Sequence, residues 1–280
     1  MGAIVWQNEG IVTKNYVIEG GEAGYKRFRL ISQVLKPTTL NLIRQAGLKR
    51  GMSCLDVGCG GGSVTLDLAR LVGPNGRVVG MDFDAVKLDL AKQHAADKHV
   101  DNVFFVEADV TELEDINTYD FVYARFLLSN LKEPDVMLAK MAAALKAKGV
   151  LVIEDVDYRG HFSYPQNDAF DRYVELYQQL GSKHGTNPNI GCEIPLMMAD
   201  AGLIDVEMLL ADLVFDKGDG KTTSKITLDS IAKAVIKDGL ATKAEMTRLG
   251  EELDKFVKSK RTLMSMPRIF QVWGTKVKVK

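Results

Sequence analysis

Three glycines alternate with single residues directly after a short apolar run. Gly58, Gly60 and Gly62 lie in the segment Leu-Asp-Val-Gly-Cys-Gly-Gly-Gly, between a predicted strand and a predicted helix. Glycine lets a backbone approach a ligand closely, and the free N–H groups of a helix start favour a polar or anionic ligand. The carboxylate of Asp56, just before the loop, can orient it and accept hydrogen bonds around a cationic group. These features are typical of a nucleotide-binding loop.

The glycine spacing separates this loop from the dinucleotide-binding motif. A G-x-G-x-x-G motif would place glycine at position 63, where this chain has Ser63. The pattern here is G-x-G-x-G. A nicotinamide-dependent oxidoreductase stays an alternative, because it uses the same strand–helix turn and a following acidic strand end.

The loop resembles the first motif of the class I S-adenosylmethionine-dependent methyltransferases of the small-molecule type. That motif is an apolar-acidic-apolar-Gly-x-Gly-x-Gly run at the same strand–helix junction, matched here by Asp56 and the glycine loop. The resemblance implies S-adenosylmethionine as cofactor and S-adenosylhomocysteine as product. It implies that Asp56, Gly58, Cys59, Gly60 and Gly62 contact this cofactor. The resemblance is strong over residues 50–155 and looser on the flanks.

Two later strand ends match further parts of this family's cofactor site. Asp82 ends the second predicted strand, where its two oxygens would take both ribose hydroxyls, and Phe83 would form a wall for the adenine. After the third strand, Asp109 would receive the adenine amino group. The backbone N–H of Val110 would meet a ring nitrogen.

The resemblance also covers the methionine end of the cofactor. Ala124 would contact it through the backbone, while Arg125 either faces a carboxylate or forms a surface ion pair. In the N-terminal stretch, Tyr16 and Arg27 look like lid residues of a subgroup of these enzymes. The guanidinium of Arg27 would hold the methionine carboxylate, or else it belongs to a solvated helix face.

Methyl transfer needs an acceptor lone pair aligned behind the sulfonium methyl, so catalysis can come largely from positioning and exclusion of water. A base is required only if the acceptor must lose a proton. Among the four histidines, His161 is the candidate, because it follows the fifth strand at the carboxyl edge of the sheet. The absence of an obvious base keeps a noncatalytic S-adenosylmethionine-binding protein as another alternative.

Composition favours a small-molecule acceptor over nucleic acid. Lys plus Arg number 36 against 37 Asp plus Glu, and no Asn/Asp-Pro-Pro-Tyr/Phe run follows the fourth strand. The three cysteines lack metal-ligand spacing, so no metal site is expected, and their odd number favours a reducing cytoplasm. The N-terminus shows neither a signal peptide nor a membrane span. Oligomeric state stays open.

Alternating short apolar runs and helical patterns predict the elements that position these residues. The five runs predicted as strands are 53–57, 77–81, 103–106, 121–123 and 150–153. Two late strands, 206–215 and 269–279, are expected to form an antiparallel hairpin with a helical insertion near 228–258. The predicted fold is α/β, a Rossmann-like seven-stranded mostly parallel sheet with helices on both faces, plus a helical N-terminal lid and cap insertions.

The chain is divided into two regions on the same grounds. Residues 1–48 are predicted to form the N-terminal helical lid, and 49–280 the methyltransferase domain. Within that domain, 49–155 form the cofactor-binding core, and 156–280 carry the substrate cap and the late strands.

Overall fold

The computed structural model describes residues 21–277 of the 280-residue chain. The helices are α1 Gly21–Gln45, α2 Ser63–Val72, α3 Ala85–Asp97, α4 Pro134–Ala144, α5 Asp168–His184, α6 Ile194–Asp200, α7 Asp219–Lys237 and α8 Lys243–Lys258. The strands are β1 Ser53–Val57, β2 Arg77–Asp82, β3 Val103–Glu107, β4 Tyr119–Arg125, β5 Leu145–Asp157, β6 Ser163–Tyr164, β7 Leu203–Ala211, β8 Val214–Phe215, β9 Leu263–Ser265 and β10 Arg268–Lys276.

Seven strands form one sheet in the order β3-β2-β1-β4-β5-β10-β7. The pairs from β3 across to β5 are parallel, and β10 runs antiparallel to both β5 and β7. The predicted Rossmann-like, mostly parallel sheet is confirmed. Successive strands spread outward from β1 in one direction and from β4 in the other. Ligands bind at such a topological switch point, outside the carboxyl ends of the strands.

Side chains alternate between the two faces of the sheet and build a core on each. Leu55 packs into a cluster with helix α4, whereas its neighbour Cys54 packs with α1 and α2 on the opposite face. This follows from the period of two in a strand. Both faces of the parallel strands are therefore covered by helices, as such sheets require.

The region after β5 forms a cap with a hydrophobic core of its own. Phe170 and Tyr173 of α5 pack there with Leu228 of α7 and Leu253 of α8. A small sheet in the order β6-β9-β8 lies beside it. Helix α1 packs against α7, so the N-terminal helix joins the cap to the core.

The structure corrects the boundaries of the late elements. The predicted strand 206–215 is two strands, because the chain leaves the large sheet after Ala211 and β8 pairs with β9 of the small sheet. The helical insertion is two helices that meet near Gly239, a glycine with φ +71°. The antiparallel pairing of the late strands β7 and β10 is confirmed. The division into a lid at 1–48 and a domain at 49–280 stays a prediction.

Across residues 21–277, the structure contains no helix with the length and apolar character needed to cross a membrane.

Candidate functional site

A cavity of about 390 Å³ opens at the carboxyl ends of β1, β2 and β4, at the switch point of the sheet. Most of the residues predicted to contact a cofactor line it. They are Asp56, Gly58, Cys59, Gly60, Asp82, Phe83, Asp109, Val110 and Arg125. The strand ends thus bring together residues spread over seventy positions of sequence. We call this space the large cavity.

The glycine loop is fixed by its backbone. Gly58, Gly60 and Gly62 have φ values of +70°, +53° and +71°, in the left-handed region that favours glycine. The N–H groups of Gly58 and Cys59 both donate to the carbonyl oxygen of Met81, at 2.8 and 2.9 Å. The loop is therefore tied to the end of β2 before any ligand arrives.

Two glycines of this loop are needed for packing. A Cβ on Gly61 would stand 2.5 Å from the ring of Tyr25, so the absence of a side chain lets α1 lie on the loop. A Cβ on Gly62 would stand 2.9 Å from Ala91 and from the ring of Phe105. Gly62 begins α2 and does not line the large cavity, although it was predicted as a cofactor contact.

Asp82 lies at the edge of the large cavity. Its side chain is buried, with one oxygen accepting from the N–H of Gly60 at 2.8 Å and the other from the N–H of Asp84 at 3.0 Å. Burial raises its pKa, and these backbone hydrogen bonds oppose the increase. Each oxygen keeps a second lone pair, so the carboxylate can still accept two hydroxyl groups.

Asp56 lies deeper, under the loop. It is 2% exposed and accepts a hydrogen bond from the Thr65 hydroxyl at 2.6 Å. Burial raises its pKa to about 6, against the lowering effect of the Thr65 hydrogen bond and the charge of Arg125. A cationic ligand beside it would lower this pKa and so favour the ionised form further.

Asp109 lies on the opposite side of the large cavity. Its Oδ1 accepts from the N–H and the hydroxyl of Thr111, at 2.9 and 2.7 Å, and this fixes the turn that starts at Val110. The half-buried ring of Phe83 lines the same space. Ala124 does not line it, because its side chain points into the core from the middle of the parallel sheet.

Arg125 lies at the end of β4 and turns toward α1. Its guanidinium donates to the hydroxyls of Ser32 at 2.5 Å and Thr39 at 3.4 Å. Among residues 24–277, whose side chains the structure describes, no carboxylate lies within 4.0 Å of it. Thr39 and Tyr123 also donate to the fully buried Glu154, which ties α1 to the sheet beneath the cavity.

Helix α1 presents different faces to two cavities. Tyr25, Phe28, Arg29 and Ser32 line the large cavity at the spacing of one helix face. Arg27 lies on the neighbouring face and lines a second, smaller cavity under the cap. One helix position is a rotation of about 100°, which separates Arg27 from the predicted contact with the cofactor. Tyr16 lies outside the described residues.

His161 also lines the smaller cavity and is absent from the large one. Its Nε2 lies 2.9 Å from the carbonyl oxygen of Ser265, which can only accept, so Nε2 carries the proton. Its Nδ1 has no hydrogen-bond partner among residues 21–277. Burial lowers its pKa to about 3, so the ring is neutral.

Sequence reasoning missed the residues between the two cavities. Phe28, Phe126 and Asn130 line both. The spacing of Tyr25, Phe28, Arg29 and Ser32 could have revealed one face of α1. Phe126 has φ +55°, and no local sequence pattern announces a left-handed phenylalanine.

Comparison with known proteins identifies the family. A family model described as a methyltransferase domain matches residues 48–190, just over half of the chain. The chain belongs to this methyltransferase family. The predicted membership is confirmed, and the matched segment contains the glycine loop, Asp82, Asp109 and Arg125.

Curated relatives resemble this methyltransferase over part of its length. A demethylmenaquinone methyltransferase of Staphylococcus aureus is 37% identical over 138 residues, 49% of this chain and 54% of that protein. The chain spans about half the length of the curated relatives it matches.

Solved structures share the fold at low identity. Phosphoethanolamine N-methyltransferase 2 of Haemonchus contortus, solved with S-adenosyl-L-methionine, has a TM-score of 0.54 and 17% identity, covering 86% of this chain and 53% of that chain. Geranyl diphosphate C-methyltransferase of Streptomyces coelicolor, solved with Mg2+, geranyl-S-thiolodiphosphate and S-adenosyl-L-homocysteine, has a TM-score of 0.51 and 16% identity, covering 86% and 76%.

Proposed function

We propose that the protein transfers a methyl group from S-adenosylmethionine to a small-molecule acceptor by in-line displacement. The placement of Asp82 carries this proposal. Its buried carboxylate ends β2 at the edge of the large cavity and is held there by the N–H groups of Gly60 and Asp84. The remaining lone pair on each oxygen suits a pair of neighbouring hydroxyls, as on a ribose.

The other residues of the large cavity fit the rest of this cofactor. Asp56 would pair with the ammonium group of the methionine part, and Asp109 would accept from the adenine amino group beside the N–H of Val110. A volume of about 390 Å³ lies in the usual range of sites for small organic ligands. When bound, the cofactor supplies an electrophilic methyl group.

Arg125, in place of Arg27, is proposed to face the methionine carboxylate. It lines the large cavity, and its partners in residues 21–277 are the neutral hydroxyls of Ser32 and Thr39. A guanidinium can add a bidentate pair with a carboxylate while keeping such hydrogen bonds. The role of Tyr16 as a lid residue stays a prediction.

The chain's own contribution to catalysis is proposed to be positioning and exclusion of water. Tyr25 covers the glycine loop at Gly61 and is anchored by a hydrogen bond to His94. Phe28 and Phe126 form the wall between the two cavities. A histidine with a pKa of about 3 is a weak proton acceptor, so His161 is proposed to accept a hydrogen bond through Nδ1. Its role as a base stays a prediction.

A small-molecule acceptor and a cytoplasmic location belong to the same proposal. Helix α1 and the cap enclose the space beyond the large cavity, which leaves room for a compact acceptor and little for a nucleic acid chain. Cys54, Cys59 and Cys192 are free thiols, as is usual in a reducing compartment.

Calorimetry with S-adenosylhomocysteine tests the cofactor assignment. Asp82→Ala should weaken binding at least about tenfold, because charge-assisted hydrogen bonds contribute roughly 1.5–3 kcal/mol each. Asp89→Ala is the matched control, an exposed carboxylate on α3 that pairs only with Lys92. We expect this control to stay within about twofold of the wild type. Equal affinities for the wild type and Asp82→Ala would overturn the assignment.

A further inference from the structure

The smaller cavity continues the large one beneath the cap. The two share Phe28, Phe126 and Asn130 as lining residues. Asn130 donates to the carbonyl oxygen of Phe126 at 2.8 Å, which holds this left-handed residue at the boundary. A molecule that reaches from one cavity into the other therefore passes this wall.

Arg27 brings a buried positive charge to the smaller cavity. The residue is 7% exposed, and its Nε donates a long hydrogen bond to the Thr227 hydroxyl at 3.4 Å. Among residues 24–277, whose side chains the structure describes, no carboxylate lies within 4.0 Å of its guanidinium. A guanidinium cannot shed its proton in a protein, and it offers five N–H donors. A buried charge without a counter-charge is costly, so this arrangement fits an anionic ligand.

The rest of the lining agrees in charge and shape. The described residues around the smaller cavity include no Asp or Glu. Tyr158 and Tyr177 stack with ring centroids 4.0 Å apart, and Tyr173 lies beside them. Burial raises the pKa of all three phenols, so they stay protonated and can donate hydrogen bonds. This lining disfavours a cationic ligand.

The size of the cavity limits the group it holds. Its volume is about 40 Å³, about a tenth of that of the large cavity. A carboxylate group fits this space, whereas the body of an acceptor does not. The body must extend past Phe126 and Asn130 toward the large cavity, along aromatic walls.

We propose that the smaller cavity binds a carboxylate of the methyl acceptor through Arg27, and that the acceptor is an aromatic or similarly flat carboxylic acid. This inference rests on the proposed function only in calling the bound molecule a methyl acceptor. The smaller cavity would be an anion site whatever reaction the protein performs. Arg27 anchors the carboxylate, and Phe28 and Phe126 direct the flat body toward the large cavity.

Calorimetry in the presence of saturating S-adenosylhomocysteine tests the anion site with simple probes. The probes are benzoate and cinnamate, their uncharged amides, and phenyl phosphate. At least one carboxylate should bind about tenfold or more tightly than its amide. Arg27→Gln should abolish this preference while S-adenosylhomocysteine affinity stays within about twofold, because Arg27 does not line the large cavity. Arg248→Gln, at an exposed position of α8, should retain it.

The outcomes separate this inference from the proposed function. Equal binding of acids and amides, or a preference that survives in Arg27→Gln, would overturn the carboxylate site. Tighter binding of phenyl phosphate than of either acid would overturn the choice of a carboxylate. If the wild type does not bind S-adenosylhomocysteine, the proposed function is overturned instead. The anion site is then judged from the binding of the probes alone.

Discussion

The large cavity takes its geometry from the backbone, whereas the smaller cavity takes its geometry from side chains. In the large cavity, the loop glycines have left-handed φ values, and backbone N–H groups hold two strand-end carboxylates. The N–H of Gly60, for example, donates to Asp82. In the second, Arg27, Tyr173 and Thr227 come from three helices and meet only in the folded chain. The geometry of the large cavity therefore depends less on individual side chains than the geometry of the smaller cavity does.

The two cavities also differ in charge. The large cavity is lined by carboxylates, among them Asp56, Asp82 and Asp109, and by cations such as Arg125, whereas Arg27 lies in the smaller cavity without a carboxylate among its described lining residues. A ligand that carries both charges together with hydroxyl groups suits the first space, and an anion suits the second.

The backbone half of this comparison is most strongly tested at Gly62. Gly62→Ala combines a left-handed φ of +71° with contacts of 2.9 Å to Ala91 and Phe105. We expect a loss of about 2–4 kcal/mol in the free energy of unfolding, from backbone strain and overpacking together. Urea denaturation measures it.

Gly60→Ala supplies the matched control. Its φ is +53°, but a Cβ there would meet nothing within 4 Å. Strain alone predicts a loss of roughly 1–2 kcal/mol. If the two variants are equally destabilised, the short contacts to Ala91 and Phe105 do not explain why position 62 requires glycine.

The charge of the large cavity can be tested through pH. In the protein without ligand, Asp56 has a pKa of about 6, and an ammonium group beside it would lower that pKa. Affinity for S-adenosylmethionine is then fully present above pH 6 and declines as pH falls through 6, by up to about tenfold per unit from this group. Calorimetry at pH 5, 6 and 7 checks the sign.

Asp56→Asn isolates this contribution. Its affinity should be about tenfold below that of the wild type at pH 7, and the ratio should shrink toward one at pH 5. Because other groups titrate equally in both proteins, the ratio reports Asp56. A ratio independent of pH would show that this carboxylate does not meet a cationic part of the cofactor.

The sequence predicted the large cavity well because its determinants are local. Asp56, Asp82 and Asp109 each lie at or just after the end of a predicted strand, so strand order and the resemblance to the family together placed them. The five parallel strands, β1 to β5, were predicted within a few residues, apart from the longer β5. The contacts of Gly62 and Ala124 with a cofactor stay predictions, since neither residue lines the large cavity.

The smaller cavity could not be predicted in the same way. Arg27 and Thr227 are two hundred positions apart, and nothing in either segment indicates the other. A rotation by one residue along α1 decides which cavity Arg27 enters, and a boundary prediction for a helix does not fix that rotation. The role of His161 likewise depended on burial, which a position after a strand does not reveal.

The side-chain half of the comparison is tested by removing the charge of Arg27 without a ligand present. Arg27→Met keeps much of the volume and removes a buried cation that has no counter-charge within 4.0 Å among the described side chains of residues 24–277. Replacing buried charge by apolar groups is often stabilising, so we expect a gain of about 1 kcal/mol and a rise of about 2 °C in Tm. Arg125→Met should lower Tm, because it loses hydrogen bonds to Ser32 and Thr39. A lower Tm for Arg27→Met would mean that the guanidinium supports the fold, and a rise would mean that the chain retains it at the expense of stability, as expected of a group kept for binding an anion.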